Sequence, residues 1–288
     1  MKTLQLNDGH TIPQIGLGTW QSQPGEVERA VVHALEAGYR HLDCAWIYGN
    51  EKEVGVGVQQ AIDKGVCRRD EIFITSKLWN NAHSQPRFTK SLDQSLTALG
   101  VDQIDLYLIH WPVAEAAPLT ETWALMEQAA RAGKVRSIGV SNFAPHHIEE
   151  VIASGSIPPA VNQVECHPYF NQKRLLDACA AHDIKLTAYS PLGIPSIMAD
   201  PVVADIAAKH EATNAQILIA WAVQRGTIVI PKSANPERIA QNIAAGDLAL
   251  DTNEMQAIDA LERGLRYIDG KFFCGEGSPY TLEELWGQ

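Results

Sequence analysis

The segment that decides the fold is GYRHLDCAWIYGNE, from Gly38 to Glu51. Its pattern predicts a short strand over Tyr39–Asp43, then a loop, then a helix. If the strand belongs to a parallel barrel, Asp43 lies at its C-terminal tip, where barrel enzymes place their active groups. Tyr48 follows in the loop, and it becomes a proton donor if a neighbour lowers its pKa from about 10. The rest of the chain must supply that neighbour.

The composition indicates one large globular domain. The chain has 288 residues, of which 45% are hydrophobic, so we expect a single barrel domain over residues 1–288. The net charge of −11, without a Lys/Arg cluster, argues against nucleic acid or an anionic membrane as a partner. The five cysteines form no CxxC pair, and no apolar run reaches the roughly 18 residues of a membrane span. We therefore expect a cytoplasmic protein.

Strand and helix patterns alternate along the chain. Eight short apolar runs predict strands of a parallel sheet buried on both faces: Ile15–Gly18, Tyr39–Asp43, Ile72–Lys77, Ile104–His110, Ile138–Asn142, Ala160–Glu165, Lys185–Ser190 and Thr227–Lys232. Segments of helical period lie between them, from Val27–Ala37 to Ala215–Gln224. This alternation predicts an α/β fold, a (β/α)₈ TIM barrel rather than an open sheet. An N-terminal β-hairpin precedes the barrel. Two extra C-terminal helices, Pro236–Ala244 and Thr252–Leu261, and a tail loop from Gly264 follow it.

The ends of neighbouring strands meet at one rim of a barrel, so they outline a candidate site. Asp43, Lys77 and His110 end strands two, three and four. A Lys77 ammonium beside the Tyr48 hydroxyl lowers the tyrosine pKa, and Asp43 on its far side holds the ammonium. Tyr48 would then protonate an alkoxide while neutral His110 donates to the carbonyl oxygen. The alternative interpretation is a structural Asp43–Lys77 ion pair with His110 as a helix-cap histidine.

Three longer segments resemble a known family. They are GYRHLDCA at 38–45, with Glu51 and Val54-Gly55 following it, KVRSIGVSNF at 134–143 and IPKSANPERIAQN at 230–242. The chain resembles the aldo-keto reductase superfamily through these segments, over nearly its whole length. Leu78-Trp79-Asn80 and His110-Trp111-Pro112-Val113 look most like microbial 2,5-diketo-D-gluconate reductase and related aldehyde or xylose reductases.

The resemblance implies a function and site residues. It implies a monomeric oxidoreductase that uses NADPH to reduce a carbonyl (aldehyde, ketone, sugar or diketo acid) to an alcohol. The family's catalytic residues fall on Asp43, Tyr48, Lys77 and His110. The residues that it implies at the cofactor, from the carboxamide to the adenine, are Ser141, Asn142, Gln163, Tyr189, Ser190, Leu192, Lys232, Ser233, Arg238, Gln241 and Asn242.

The segment after strand eight also suggests a phosphate site on chemical grounds. Lys232, Ser233 and Arg238 surround the start of a helix, which favours an anion, although a solvated basic helix start fits the same residues. The resemblance assigns these three to the 2′-phosphate of NADPH. The sequence has no Gly-x-Gly-x-x-Gly fingerprint. Gly55-Val56-Gly57 lies inside a predicted helix, so a Rossmann domain is not expected.

Aromatic residues predict a substrate cleft. Trp20, Trp46, Trp79 and Trp111 each follow one of strands one to four, which suggests an aromatic wall. The tail over 271–280 would fold over the mouth of the cleft. His83 is interpreted as a surface residue. We expect no metal site, because no histidine or cysteine cluster has ligand spacing.

Two other functions stay open. A lysine at a strand tip also supports Schiff-base aldolase chemistry, although the phosphate site after strand eight argues against it. The second is a cofactor-binding accessory or regulatory barrel without a dedicated substrate, since the family includes ion-channel accessory subunits. This compact chain shows no extra interaction segment for that role.

Overall fold

The computed structural model describes residues 2–23, 25–113 and 117–287. Its strands are β1 Thr3–Gln5, β2 Thr11–Pro13, β3 Leu17–Gly18, β4 His41–Asp43, β5 Phe73–Leu78, β6 Ile104–Ile109, β7 Val135–Ser141, β8 Val161–Glu165, β9 Lys185–Tyr189 and β10 Ile228–Val229. Its helices are α1 Glu26–Glu36, α2 Glu51–Asp63, α3 Arg87–Leu99, α4 Leu119–Arg131, α5 Pro145–Ser154, α6 Lys173–Ala181, α7 Pro195–Met198, α8 Pro201–Lys209, α9 Asn214–Gln224, α10 Pro236–Ala244, α11 Thr252–Asp259 and α12 Leu282–Trp286. Within these ranges, no helix is long and apolar enough to cross a membrane.

Eight parallel strands, β3 to β10, follow one another across a single sheet in chain order. The first and last strands meet, because the Gly16 amide donates to the Val229 carbonyl at 2.8 Å and Gly18 pairs with Lys232 in a parallel bridge. A Cβ on Gly18 would lie 2.7 Å from the Ile230 carbonyl oxygen, so this close approach requires glycine. The sheet thus closes into the predicted barrel, and the prediction of fold class is confirmed.

The two-residue period of the strands decides which side chains face the barrel interior. On β5, Phe73 belongs to the apolar cluster inside the barrel, whereas Ile74 and Leu78 belong to the layer packed against the helices. Lys77 lies four residues beyond Phe73 and therefore shares its inward face. The sequence pattern thus carries a lysine into the barrel at the C-terminal rim.

The hairpin of β1 and β2 fills the opposite end of the barrel. Leu6 and Ile12 are buried in the interior apolar cluster, and the Asn7 side-chain amide donates to the Pro159 carbonyl at 2.9 Å. Because side chains occupy this end, the C-terminal rim is left for a functional site.

Several local features differ from the sequence-based expectations. The last barrel strand covers only Ile228–Val229 rather than Thr227–Lys232, and the patterns predict neither α7 nor α12. The glycines of Gly55-Val56-Gly57 serve helix packing, because a Cβ on Gly57 would lie 2.7 Å from the Glu28 carbonyl oxygen of α1.

Candidate active site

A cavity of about 530 Å³ lies at the C-terminal rim of the barrel. The tips of the strands and the C-terminal tail contribute its walls. Of the residues predicted for the site, the following line it: Asp43, Tyr48, His110, Ser141, Asn142, Gln163, Tyr189, Ser190, Leu192, Lys232, Trp20, Trp79 and Trp111. The structure therefore brings residues from distant parts of the chain to one cavity, as expected for a barrel.

Lys77 lies at the centre of a hydrogen-bonded cluster at the base of this cavity. Its ammonium donates to Asp43 Oδ1 at 2.6 Å, to the Cys44 carbonyl at 2.7 Å and to the Tyr48 hydroxyl at 3.3 Å. Gln163 Nε2 donates to Asp43 Oδ2 at 2.6 Å, a contact that the sequence patterns do not predict. Lys77 has no exposed surface, and three acceptors match its three N–H donors. Asp43 and Lys77 therefore form a buried ion pair in which every ammonium proton has an acceptor.

Burial and charge act in opposite directions on Tyr48. Burial raises its pKa to about 12, and it outweighs the lowering that the Lys77 charge and hydrogen bond produce. The prediction of a lowered pKa has the right sign for the lysine's contribution but the wrong net direction. The hydroxyl is consequently protonated near neutral pH and available as a donor.

The ammonium stays charged despite its burial. Burial alone would lower the pKa of Lys77, but the charge of Asp43 and the neighbouring Tyr48 hydroxyl raise it above the usual value. A protonated, fully paired ammonium is a fixed positive charge beside the Tyr48 oxygen.

His110 faces Tyr48 across the cavity. Their ring centroids lie 5.8 Å apart, and Trp79 packs edge-on against the same imidazole at 5.1 Å. Burial, with the Lys77 charge as the smaller cause, holds the pKa of His110 well below 6.5. The imidazole is therefore neutral near pH 7 and has one N–H to donate.

Amide and hydroxyl groups form the wall between β7 and β9. Asn142 Nδ2 donates to the His110 carbonyl at 3.0 Å, and Asn142 Oδ1 accepts from the Tyr189 hydroxyl at 2.8 Å. Ser141 Oγ donates to the Gln163 carbonyl at 2.9 Å. Asn142 has a left-handed backbone with φ 62°, a region that Asn enters more readily than most residues. Strained backbone at such a position is typical of functional sites.

The residues predicted to bind phosphate lie at and beyond β10. Lys232 lines the cavity, whereas Ser233 and Arg238 lie outside its lining. Asn235 caps α10, since its Oδ1 accepts from the Arg238 amide at 3.0 Å. Lys232 and Arg238 are exposed, and neither side chain has an ion-pair partner within the described ranges. Gln241 and Asn242 lie further along α10, outside the cavity lining.

Three of the four predicted tryptophans line the cavity. Trp20, Trp79 and Trp111 do so, whereas Trp46 does not. The indole N–H of Trp46 donates instead to Gln94 Oε1 on α3 at 3.2 Å. A loop position after a strand does not define which way a side chain points, and for Trp46 the expectation of a cavity contact is wrong.

The C-terminal tail supplies two wall residues that the patterns do not identify. Ile268 and Phe272 line the cavity, and Phe272 packs edge-on against Trp111 with ring centroids 5.7 Å apart. The tail has no periodic pattern, so apolar residue type is its only sequence signal. The expectation that the tail lies over the cleft is met by these contacts.

His83 is a second correction. It is completely buried rather than on the surface, and burial lowers its pKa to about 4. As for metals, no group of three or more His, Cys, Asp or Glu side chains in the described ranges is arranged to hold an ion.

Comparisons with known proteins agree with this architecture. The Aldo/keto reductase family model matches residues 14–263. An aldo/keto reductase of Synechocystis is 47% identical, with 100% of this chain and 97% of that protein aligned. Mouse aldo-keto reductase family 1 member A1 is 42% identical over 91% of this chain and 90% of its own.

Solved structures give the same result. An aldo-keto reductase of Bombyx mori, determined in complex with NADP, superposes with a TM-score of 0.92 and 39% identity over 96% of this chain and 97% of its own. An aldose reductase from Schistosoma japonicum gives a TM-score of 0.90 and 38% identity over 93% and 95%. This chain therefore belongs to the aldo/keto reductase family.

Proposed function

We propose that this protein uses NADPH to reduce the carbonyl group of a small molecule to an alcohol. The observation that carries the proposal is the Asp43–Lys77–Tyr48 cluster, which opens on the same cavity as neutral His110. Family membership supports an oxidoreductase that acts on carbonyls.

The residues present fit a nicotinamide cofactor. The polar wall of Ser141, Asn142 and Gln163 suits a carboxamide, and Tyr189 offers a ring beside it. Lys232 and Arg238 are exposed cations at the start of α10, which suits a phosphate. In the remaining assignments, Ser190 and Leu192 take the pyrophosphate, Ser233 the 2′-phosphate, and Gln241 and Asn242 the adenine. NADPH would supply the hydride when bound.

The chain's own residues would handle the proton. Tyr48 donates its hydroxyl proton to the carbonyl oxygen as negative charge develops there, because an alkoxide is more basic than a phenolate. The Lys77 ammonium stabilises the resulting phenolate, and Asp43 keeps that ammonium in place and charged. His110 donates a hydrogen bond that orients the carbonyl oxygen.

The same geometry argues against Schiff-base chemistry. A nucleophilic lysine needs an unprotonated amine with access to substrate. Lys77 is buried, its three hydrogen bonds are satisfied, and its pKa is raised. The reductase is therefore the better-supported function.

We also propose an uncharged aldehyde or ketone as the substrate rather than an anionic diketo acid. Trp20, Trp79 and Trp111 line the cavity, and the Trp20 ring packs against that of Tyr48 with centroids 4.8 Å apart. Among the described lining residues, Lys232 is the one with a permanent positive charge, and the cofactor would use it. A substrate carboxylate would thus lack a cation to pair with.

The test is loss of NADPH absorbance with a panel of an aromatic aldehyde, methylglyoxal, xylose and 2,5-diketo-D-gluconate. We expect turnover, fastest with the aromatic aldehyde. Tight NADPH binding without turnover of any of them would favour an accessory barrel instead.

Two finer properties belong to the proposal. The five cysteines are all unpaired and four are buried, which supports a reducing compartment such as the cytoplasm. We propose a monomer, which size-exclusion chromatography with light scattering would test.

A further inference from the structure

Strand β8 ends in a buried carboxylate that the proposed chemistry does not use. Glu165 is 1% exposed. Its Oε1 accepts hydrogen bonds from the Tyr267 amide at 2.8 Å and from His167 Nε2 at 2.9 Å. Its Oε2 accepts from the Ile268 amide at 2.7 Å. Both oxygens therefore hold the backbone of the C-terminal tail.

The neighbouring tail residues are attached to the loop that follows β8. The Tyr169 carbonyl accepts from the amides of Arg263 at 3.2 Å and Leu265 at 3.0 Å. The Arg266 guanidinium lies over the Phe170 ring at 4.5 Å and over Trp286 of α12 at 3.4 Å. The tail thus runs from the β8 loop toward the cavity, and Glu165 makes the last attachment before the cavity wall.

The attachment has a direct consequence for the wall. Ile268, whose amide Glu165 holds, lines the cavity, and Phe272 lines it four residues later. On its other side Glu165 pairs in register with Tyr189 of β9, which also lines the cavity. Glu165 therefore connects the strand tips at the base of the site with the part of the wall that comes from the tail.

We propose that Glu165 is a positioning residue that sets substrate choice by fixing Ile268 and the tail wall against the strand tips. The inference rests on the proposed carbonyl reduction. It predicts that large substrates, which must contact the tail, depend on Glu165, whereas small ones that need only Tyr48 and His110 do not.

The carboxylate is chemically specific for this task. Its two oxygens accept from two successive tail amides, whereas a glutamine keeps one oxygen and turns an N–H₂ toward the other amide. One tail amide would then lose its acceptor in a buried environment, which is unfavourable. Glu165 would then hold the tail at one amide instead of two.

The first experiment compares Glu165→Gln with the parent protein on methylglyoxal and on 2-naphthaldehyde. We expect the KM for naphthaldehyde to rise by about tenfold, because that factor corresponds to the loss of one hydrogen bond to a charged group. The kcat for naphthaldehyde and both constants for methylglyoxal should stay within about twofold, whereas a general structural defect would lower kcat for both substrates.

The matched control is Glu262→Gln. Glu262 is exposed and accepts a hydrogen bond from the Asn171 amide, which belongs to the loop after β8. This change should leave both substrates unaffected. Equal effects of the two substitutions, or equal losses on both substrates, would overturn the assignment to Glu165.

A second pair of variants tests the hydrogen bond between Glu165 and the Ile268 amide by changing Ile268. These variants also keep the proposal testable if Glu165→Gln does not fold. Ile268→Ala and Ile268→Pro both shorten the side chain, but only proline removes the amide that Glu165 binds. The KM for naphthaldehyde should be higher for the proline variant. Equal values for the two variants would contradict the proposal.

Hydrogen exchange separates this inference from the proposed function. If the parent protein turns over neither aldehyde, the proposed function fails on its own. The amides of Tyr267 and Ile268 should still exchange faster in Glu165→Gln than in the parent. Unchanged exchange at both amides would show that Glu165 does not hold the tail.

Discussion

The base of the cavity and the segment around the start of α10 hold their charges in opposite ways. At the base, Asp43 and Lys77 are buried, and the Lys77 ammonium donates to Asp43 Oδ1 at 2.6 Å. Every proton of that ammonium has an acceptor. At the α10 end, Lys232 and Arg238 are exposed and lack an ion-pair partner in the part of the chain that the structure describes. Buried charges must be paired within the protein before any ligand arrives, whereas solvated cations stay available to one. The base of the cavity is therefore suited to proton transfer, and the exposed cations near α10 are suited to binding an anion.

The largest expected effect comes from removing the proton donor at the base. Tyr48→Phe keeps the ring that packs on Trp20 and removes only the hydroxyl. We expect kcat to fall by about 10² to 10⁴-fold, the usual contribution of a general acid. NADPH affinity, measured by fluorescence titration, should persist.

Tyr39→Phe is the control for that loss. Its hydroxyl donates to the Ile239 carbonyl, away from the cavity, so turnover should not change. A Tyr48→Phe enzyme with full activity would refute the acid assignment.

Breaking the buried pair should affect stability as well as turnover. Lys77→Met leaves Asp43 buried without its cation, so the free energy of unfolding should fall by about 3–5 kcal/mol. Adding Asp43→Asn removes the stranded charge and should restore part of that stability but no activity. Urea unfolding of the two single variants and the double variant measures the coupling. Additive losses would mean that the ion pair is not a unit.

Arg238→Ala probes the exposed end. The affinity for NADPH should fall by about 10 to 100-fold, whereas affinity for NADH, which lacks the 2′-phosphate, should hardly change. The unfolding midpoint should also stay constant, because Arg238 has no described ion-pair partner to lose. Arg174→Ala, at an exposed position on α6, is the control. Equal losses for the two cofactors would remove the phosphate assignment.

The smallest expected effect is that of pH. The pKa of His110 lies well below 6.5 and that of Tyr48 is about 12, so neither group changes its protonation between pH 6.5 and 9. The kcat for reduction should vary by no more than about twofold across that interval. A single inflection of kcat near pH 7 would show that one of the two groups titrates there and that its burial is relieved during turnover.

The sequence predicts those features that follow from periodicity. The strand pattern places Asp43, Lys77 and His110 at neighbouring tips, and the two-residue alternation carries Lys77 inward. Both placements depend only on local geometry that every parallel barrel shares. For that reason the base of the site is largely foreseeable from one chain.

Other features depend on packing that no local pattern encodes. The net pKa of Tyr48 depends on how much solvent the folded chain removes, and the burial of His83 depends on helices distant in sequence. Trp46 turns toward Gln94 because α3 offers an acceptor there. The helix Leu282–Trp286 has five residues and one buried side chain, Leu285, too few to form a periodic signal.

The close approach of the first and last barrel strands has a mechanical consequence. Gly18, Lys232 and Asp43 all line the cavity, so the line where the barrel closes runs through the site itself. A ligand bound there would contact both the first and the last strand of the sheet and so link them. By mass action it adds about 2.7 kcal/mol of stability at a hundredfold excess over its dissociation constant. Occupancy of the site and folding of the barrel are thus linked equilibria, and the unfolding midpoint should rise with the concentration of the ligand.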